Sequence, residues 1–114
     1  MHTLRNITWV GSSKEDLKSF PEEVQKEIGF SLHRIQEGDT PSNVKPLKGF
    51  HPSVMEIISN YNTNTYRAVY TVKLGDDIYV LHVFQKKSKS GIKTPQQEIN
   101  LIKRRLTVAK ENAK

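Results

Sequence analysis

The sequence contains no cysteine and no long run of apolar residues. Without cysteine, disulfide bonds and thiolate metal sites are excluded, and the chain is compatible with a reducing compartment. No stretch approaches the roughly 18 apolar residues that span a bilayer. Residues 1–10 also lack the basic region and apolar run of a secretory signal. We therefore expect a cytoplasmic protein that does not enter a membrane.

Several chemical motifs are missing as well. The four histidines, His2, His33, His51 and His82, show no metal-ligand spacing. The chain has no glycine-rich nucleotide loop, no nucleophile elbow and no paired catalytic carboxylates. We therefore expect a function that uses neither a metal ion nor an organic cofactor.

The net charge of +6 is distributed unevenly along the chain. Residues 1–83 hold 9 lysines and arginines against 10 acidic residues, whereas residues 84–114 hold 9 against 2. All the excess positive charge thus lies in the last 31 residues. This asymmetry indicates an anionic partner, and nucleic acid is the first candidate. A basic tail that only aids solubility is the alternative.

The 114 residues fit one domain, residues 1–114, of the α+β class. A short strand comes first, and a helix follows it to about Ser19. A second helix begins at Pro21, carries an apolar face at helical spacing and stops near Gly38. Residues 39–52, which include three prolines, predict a loop.

The second half of the chain predicts three strands and a last helix that begins at Thr94-Pro95. The element order is β-α-α-β-β-β-α. It predicts a small, mostly antiparallel sheet with the N-terminal helical hairpin on one face and a C-terminal helix. The strands are expected at residues 4–10, 54–59, 66–74 and 78–86.

Gly75-Asp76 predicts a two-residue turn between the last two strands. Because side chains alternate along a strand, that turn sets which residues share a face. A three-residue turn would move His82 to the opposite face. The two-residue turn pairs Arg67 with Phe84 and places four residues on one face: Arg67, His82, Phe84 and Lys86.

This face suits RNA cleavage. A 2′-hydroxyl attacks the adjacent phosphate, and fixed cations stabilise the negative charge that builds on the phosphoryl oxygens without a metal. We predict that Arg67, Lys86 and Lys87 supply those cations. His82, or a crowded lysine of lowered pKa, is the predicted proton-transfer group. Phe84 is a candidate to stack a base.

Four more lysines are predicted to contact phosphates: Lys45, Lys48, Lys89 and Lys93. Each of these candidates also has a purely structural interpretation. Arg67 would then only pair with a carboxylate, His82 and Phe84 would belong to the core, and the lysines would be solvated.

Six short motifs carry a family resemblance. They are Lys45-x-Leu47-x-Gly49, Glu56-Ile57, Tyr66-Arg67-x-x-Tyr70, Leu81-His82-x-Phe84-x-Lys86-Lys87, Lys93-Thr94-Pro95 and Glu98-Ile99. Together they resemble the HigB-like branch of the RelE/ParE toxin superfamily, which is also described as phage-derived. The resemblance covers about residues 4–107.

This resemblance implies a RelE-like fold with a concave basic face, and a toxin encoded beside an antitoxin, often a helix-turn-helix protein. It implies metal-independent cleavage of mRNA on the ribosome, which leaves a 2′,3′-cyclic phosphate. Arg67 and either Lys86 or Lys87 would be catalytic, with His82 and Phe84 also in the site. Ile58 stands where family members often carry arginine, and the segment from Lys87 to Lys93 is longer than expected for the family.

Two other functions stay open at this point. The related ParE branch inhibits DNA gyrase, so a non-catalytic inhibitor is one alternative. A simple RNA- or DNA-binding module without activity is the other.

Overall fold

The computed structural model describes residues 4–86 and 94–114. Within these ranges the chain forms five strands and three helices, in the order β-α-α-β-β-β-β-α. The elements are β1 (Ile7–Trp9), α1 (Ser13–Lys18), α2 (Glu22–Gln36), β2 (Val44–Leu47), β3 (Val54–Tyr61), β4 (Asn64–Thr71), β5 (Ile78–Lys86) and α3 (Gln96–Asn112).

The strands form one sheet in the order β1-β5-β4-β3-β2. β1 pairs with β5 in parallel, and the other neighbours are antiparallel. The α+β class and the mostly antiparallel sheet are therefore confirmed. The loop expected at residues 39–52 is wrong for Val44–Leu47, which pairs with β3 as an edge strand. Pro46 lacks a backbone N–H, but an edge strand tolerates that loss.

The helices cover the two faces of the sheet. The predicted apolar face of α2 is buried against one face, and its residues are Val24, Ile28, Leu32 and Ile35. α3 buries Ile102, Leu106 and Ala109 against the other face. Two hydrophobic cores thus lie on either side of the sheet. In the described part of the chain, no helix has the length and apolarity needed to cross a membrane.

The connection between β4 and β5 is longer than predicted. β4 ends at Thr71 and β5 begins at Ile78, so the two-residue turn at Gly75-Asp76 is wrong. The guanidinium of Arg5 donates hydrogen bonds to the carbonyls of three residues in this loop, Val72, Gly75 and Asp76. These bonds satisfy backbone groups that a tight hairpin would have paired across the strands.

The predicted pairing near Arg67 is nevertheless correct. Tyr70 pairs with Val80, and a bulge then shifts the register, so that Val69 pairs with His82 and Arg67 with Phe84. Leu81 is the extra residue of the bulge. Because the bulge compensates for the longer loop, the four predicted residues lie on the face of the sheet that α3 partly covers.

The β3–β4 turn closes the end of the sheet that carries Arg67. Its two residues, Asn62 and Thr63, both have positive φ angles, of 49° and 65°. Positive φ at both central residues is the geometry of a type I′ hairpin turn, which matches the twist of the strands.

Candidate active site

Arg67 on β4 and Glu56 on β3 form a buried ion pair. The Cα atom of Arg67 lies opposite that of Ile58, so Glu56 is its diagonal neighbour on the same face of the sheet. Arg67 Nη1 donates a hydrogen bond to Glu56 Oε1, and the two side chains are only 12% and 7% exposed. Removing either partner would leave an uncompensated charge in a poorly hydrated place.

This ion pair is not fully satisfied. Glu56 Oε2 and Arg67 Nε are both buried, and neither has a hydrogen-bond partner in residues 4–86 or 94–114. Buried polar atoms without partners are rare in native proteins and often occur at functional sites. Glu56 Oε2 can therefore still accept a hydrogen bond, and Arg67 Nε can still donate one.

Lys86 completes this cluster from β5. It lies opposite Thr65, two residues along the strand from the partner of Arg67, and it is 8% exposed. Burial lowers the pKa of the Lys86 ammonium, the positive charge of Arg67 lowers this pKa further, and Glu56 acts in the opposite direction. We call Glu56, Arg67 and Lys86 the cation cluster.

His82 lies on the same face but belongs to a second group, formed with α3. The side chain is buried, and its Nε2 lies 3.1 Å from Glu98 Oε2. Its Nδ1 lies 3.4 Å from Arg105 Nη1. Burial lowers the pKa of His82, and this effect outweighs the opposing one of Glu98. A neutral imidazole that donates to Glu98 and accepts from Arg105 fits this arrangement.

Arg105 also forms hydrogen bonds outside this second group. Its Nη1 donates to the carbonyl of Leu81 at 3.0 Å, and its Nη2 donates to Ser12 Oγ at 3.0 Å. The bulge exposes that carbonyl to α3, because it leaves Leu81 outside the regular pairing. Its helix neighbours Lys103 and Arg104 are exposed, whereas Arg105 is partly buried.

Phe84 is buried rather than open to a ligand. It is 6% exposed, and it packs in the core beneath α3 with residues such as Val69 and Ile102. Its ring stacks on His82 with a centroid separation of 4.8 Å and an angle of 13°. Base stacking by Phe84 stays a prediction, and it would require the ring to be uncovered.

The remaining predicted lysines divide into two groups. Lys45 and Lys48 are exposed on and just after β2. Lys45 lies opposite Glu56 and lines a groove of about 310 Å³. The other residues that line this groove are Glu27, Asn43, Ile58 and Asn60, and none of them belongs to the cation cluster. Three others lie outside the described residues, namely Lys87, Lys89 and Lys93.

Two acidic residues of these groups were missed as site residues in the sequence. Glu56 stands among Val54, Met55 and Ile57 in a strand that reads as buried, and a carboxylate there requires a partner. That signal was available. Glu98 gave no such signal, because a helix exposes many acidic residues and only the tertiary structure brings this one to His82.

Two other kinds of chemistry, proton transfer by a tyrosine and metal binding, can be assessed from the side chains present. Burial raises the pKa of Tyr70 to about 12, so its phenol stays protonated near neutral pH. Across the two described ranges, no group of three or more histidine, aspartate or glutamate side chains is placed to hold a metal ion.

Comparison with known families bears on what this face does. A family model described as Phage derived protein Gp49-like (DUF891) matches residues 15–107. The chain belongs to this Gp49-like family. Gp49-like proteins are a RelE/HigB-type toxin-like family associated with toxin-antitoxin systems, which indicates an antitoxin as a partner. No curated protein matches the chain. The matched segment includes every residue of the cation cluster.

Proposed function

We propose that this protein is the toxin of a type II toxin-antitoxin system, of the HigB-like branch, and that it cleaves mRNA bound to the ribosome. The observation that carries the proposal is the cation cluster. Two cations and one carboxylate share a nearly buried site, so the cluster has one positive charge in excess. A single phosphodiester group carries the opposite charge.

The proposed reaction is transfer of the phosphodiester to its own 2′-hydroxyl. The 2′-oxygen forms a bond to phosphorus, the bond from phosphorus to the 5′-oxygen breaks, and a 2′,3′-cyclic phosphate results. Arg67 stabilises the charge on the phosphoryl oxygens, and because its guanidinium is held in advance it needs no reorganisation. Cleavage by this route uses no metal ion.

Lys86 is the proposed proton donor to the leaving 5′-oxygen. Its lowered pKa brings the ammonium nearer to the acidity at which a general acid is effective at neutral pH. His82 is the predicted base for the 2′-hydroxyl. Its long contact with Arg105, at 3.4 Å, is the one that it would release to accept a proton at Nδ1.

Two exposed lysines lie on the β2 side of the cluster, and one of them, Lys45, lines a groove that also contains Glu27. Lys45 and Lys48 are proposed to contact phosphates on one side of the cleaved bond. Lys87, Lys89 and Lys93 are proposed to do so from the segment between β5 and α3. The proposed partners are mRNA, the ribosome and a cognate antitoxin, and the proposed location is the cytoplasm.

The test is mRNA cleavage in a reconstituted translation reaction, with 5′ ends mapped by primer extension, in the presence and absence of ribosomes. We expect codon-phased cuts with the wild type, and we expect them to disappear in Arg67→Ala and Lys86→Ala. Arg34→Ala is the matched control. Arg34 also forms an ion pair, with Asp39, but both of those side chains are much more exposed than Arg67 and Glu56. Intact mRNA with folded wild-type protein would exclude the nuclease, and gyrase inhibition would then be assayed.

A further inference from the structure

Glu56 is the one acidic member of the cation cluster, and its surroundings limit what it can do. Its Oε1 accepts from Arg67, and its Oε2 is buried without a partner in the described part of the chain. Because Oε2 is closed to solvent, a substrate hydroxyl does not reach it in this arrangement. Direct proton abstraction by Glu56 therefore does not fit the geometry.

Glu56 instead acts on both cations, on Arg67 by direct contact and on Lys86 by its charge. The ion pair holds Arg67 Nη1 against Glu56 Oε1, across the neighbouring strands β4 and β3. The same carboxylate opposes the repulsion between Arg67 and Lys86, which lie on adjacent strands. Without Glu56, two cations would share a site with little water, which is costly.

We propose that Glu56 is a positioning residue for RNA cleavage, which orients Arg67 toward the scissile phosphate and keeps Lys86 charged before the substrate arrives. This inference rests on the proposed function. It adds a role to a residue that does not touch the reacting atoms. In this role Glu56 maintains the excess of one positive charge that a phosphodiester neutralises.

The unpaired atoms of the ion pair agree with this role. Among residues 4–86 and 94–114, the hydrogen on Arg67 Nε has no acceptor, and leaving it buried costs free energy. An anion could accept that hydrogen once the groups that cover Nε move aside, because Nε is as buried as Glu56 Oε2. Arginine suits such a site because its planar group can bind a carboxylate on one side and a phosphate on another.

The test compares Glu56→Gln, Glu56→Asp and the control Glu22→Gln in the cleavage assay across a range of pH. Glu22 pairs with Lys26 at 3.2 Å on the exposed face of α2, so its change removes a carboxylate from an ion pair outside the site. In each variant the Lys86 side chain is also titrated by NMR, which requires no activity.

For Glu56→Gln we expect kcat to fall roughly 100-fold with little change in KM, because a catalytic group is misplaced while binding surfaces remain. The limb of the pH–rate profile due to Lys86 and its NMR titration should both move to lower pH. Glu56→Asp should keep the Lys86 titration near that of the wild type but should lower kcat, because its shorter side chain holds Arg67 in a different position. Glu22→Gln should change neither quantity.

Two results would overturn the inference. One is a folded Glu56→Gln variant with the rate and pH profile of the wild type. The other is a lower rate with an unmoved Lys86 titration, which would make Glu56 a purely structural residue. If Glu56→Gln does not fold, the Glu56→Asp variant decides instead. A folded Glu56→Asp variant with the kcat of the wild type would then overturn the inference. If the wild type itself does not cleave mRNA, the proposed function fails, and the titration still decides whether Glu56 controls the charge of Lys86.

Discussion

Arg67 on β4 and Glu56 on β3 form an ion pair in which each partner has one buried side-chain atom, Nε or Oε2, without a hydrogen-bond partner among the described residues. A pair that served stability alone would gain by satisfying those atoms or by replacing both charges with apolar groups. The pair is also next to Lys86, whose charge Arg67 disfavours. Placing two cations beside one carboxylate in a site with little water costs free energy, so stability alone does not account for the cluster.

The first prediction concerns the stability of this ion pair. Arg67→Ala should lower the free energy of unfolding by about 3–5 kcal/mol, because it leaves the Glu56 carboxylate buried and unpaired. Adding Glu56→Gln should recover part of that loss. Urea denaturation of the two single variants and the double variant measures the coupling between the residues. If the two effects simply add, the pair is not coupled.

The second prediction separates activity from stability at Lys86. Since burial lowers its pKa, the folded state disfavours the ammonium, and this cost is fully present below the folded pKa. Lys86→Met should therefore leave stability at neutral pH unchanged or raise it, while cleavage falls roughly 100-fold or more. Thermal denaturation and the cleavage assay check the two halves. A strongly destabilised variant would contradict the first half.

The third prediction concerns the pH dependence that His82 confers. Its pKa is lowered in the folded state, so the unfolded chain takes up a proton first as the pH falls through about 6.5. The wild type then loses stability that a non-titrating variant does not lose. The stability advantage of the wild type over His82→Gln should shrink between about pH 7.5 and pH 5.5. A growing advantage at acid pH would show that Glu98 outweighs burial.

The fourth prediction concerns Thr63 in the β3–β4 turn. Its φ of 65° is unfavourable for a β-branched residue, whereas glycine adopts it without strain. Thr63→Gly should raise the free energy of unfolding by about 1 kcal/mol, after the entropy cost of glycine in the unfolded chain is counted. Cleavage should be unchanged. Equal or lower stability would mean that the threonine is favoured by contacts that offset the strain.

The face of the sheet that holds the cation cluster was predicted correctly, but from a two-residue turn that the structure does not have. Alternation along β4 and β5 places Arg67 and Lys86 together only because the bulge at Leu81 offsets the longer loop. The bulge at Leu81 could not be predicted, because it compensates for a loop whose length depends on contacts with Arg5. The edge strand β2 was not predicted, because Pro46 is typical of a loop.

The candidate site was harder to predict than the fold. Lone residues in a sequence do not show their partners, so the pairing of Glu56 with Arg67 and of Glu98 with His82 appears only in three dimensions. The burial of Phe84 was equally hidden, since a core aromatic and a stacking platform look alike in sequence. Tertiary contacts decide both questions.

The most direct test of the central claim is the chemistry of the cleaved ends. Wild-type protein, added to ribosomes translating a defined mRNA, should give a 2′,3′-cyclic phosphate on one fragment and a 5′-hydroxyl on the other. Folded Lys86→Met should give neither above background. If folded wild-type protein leaves the mRNA intact, or if the products carry other ends, the assignment of the cation cluster to phosphodiester transfer is wrong.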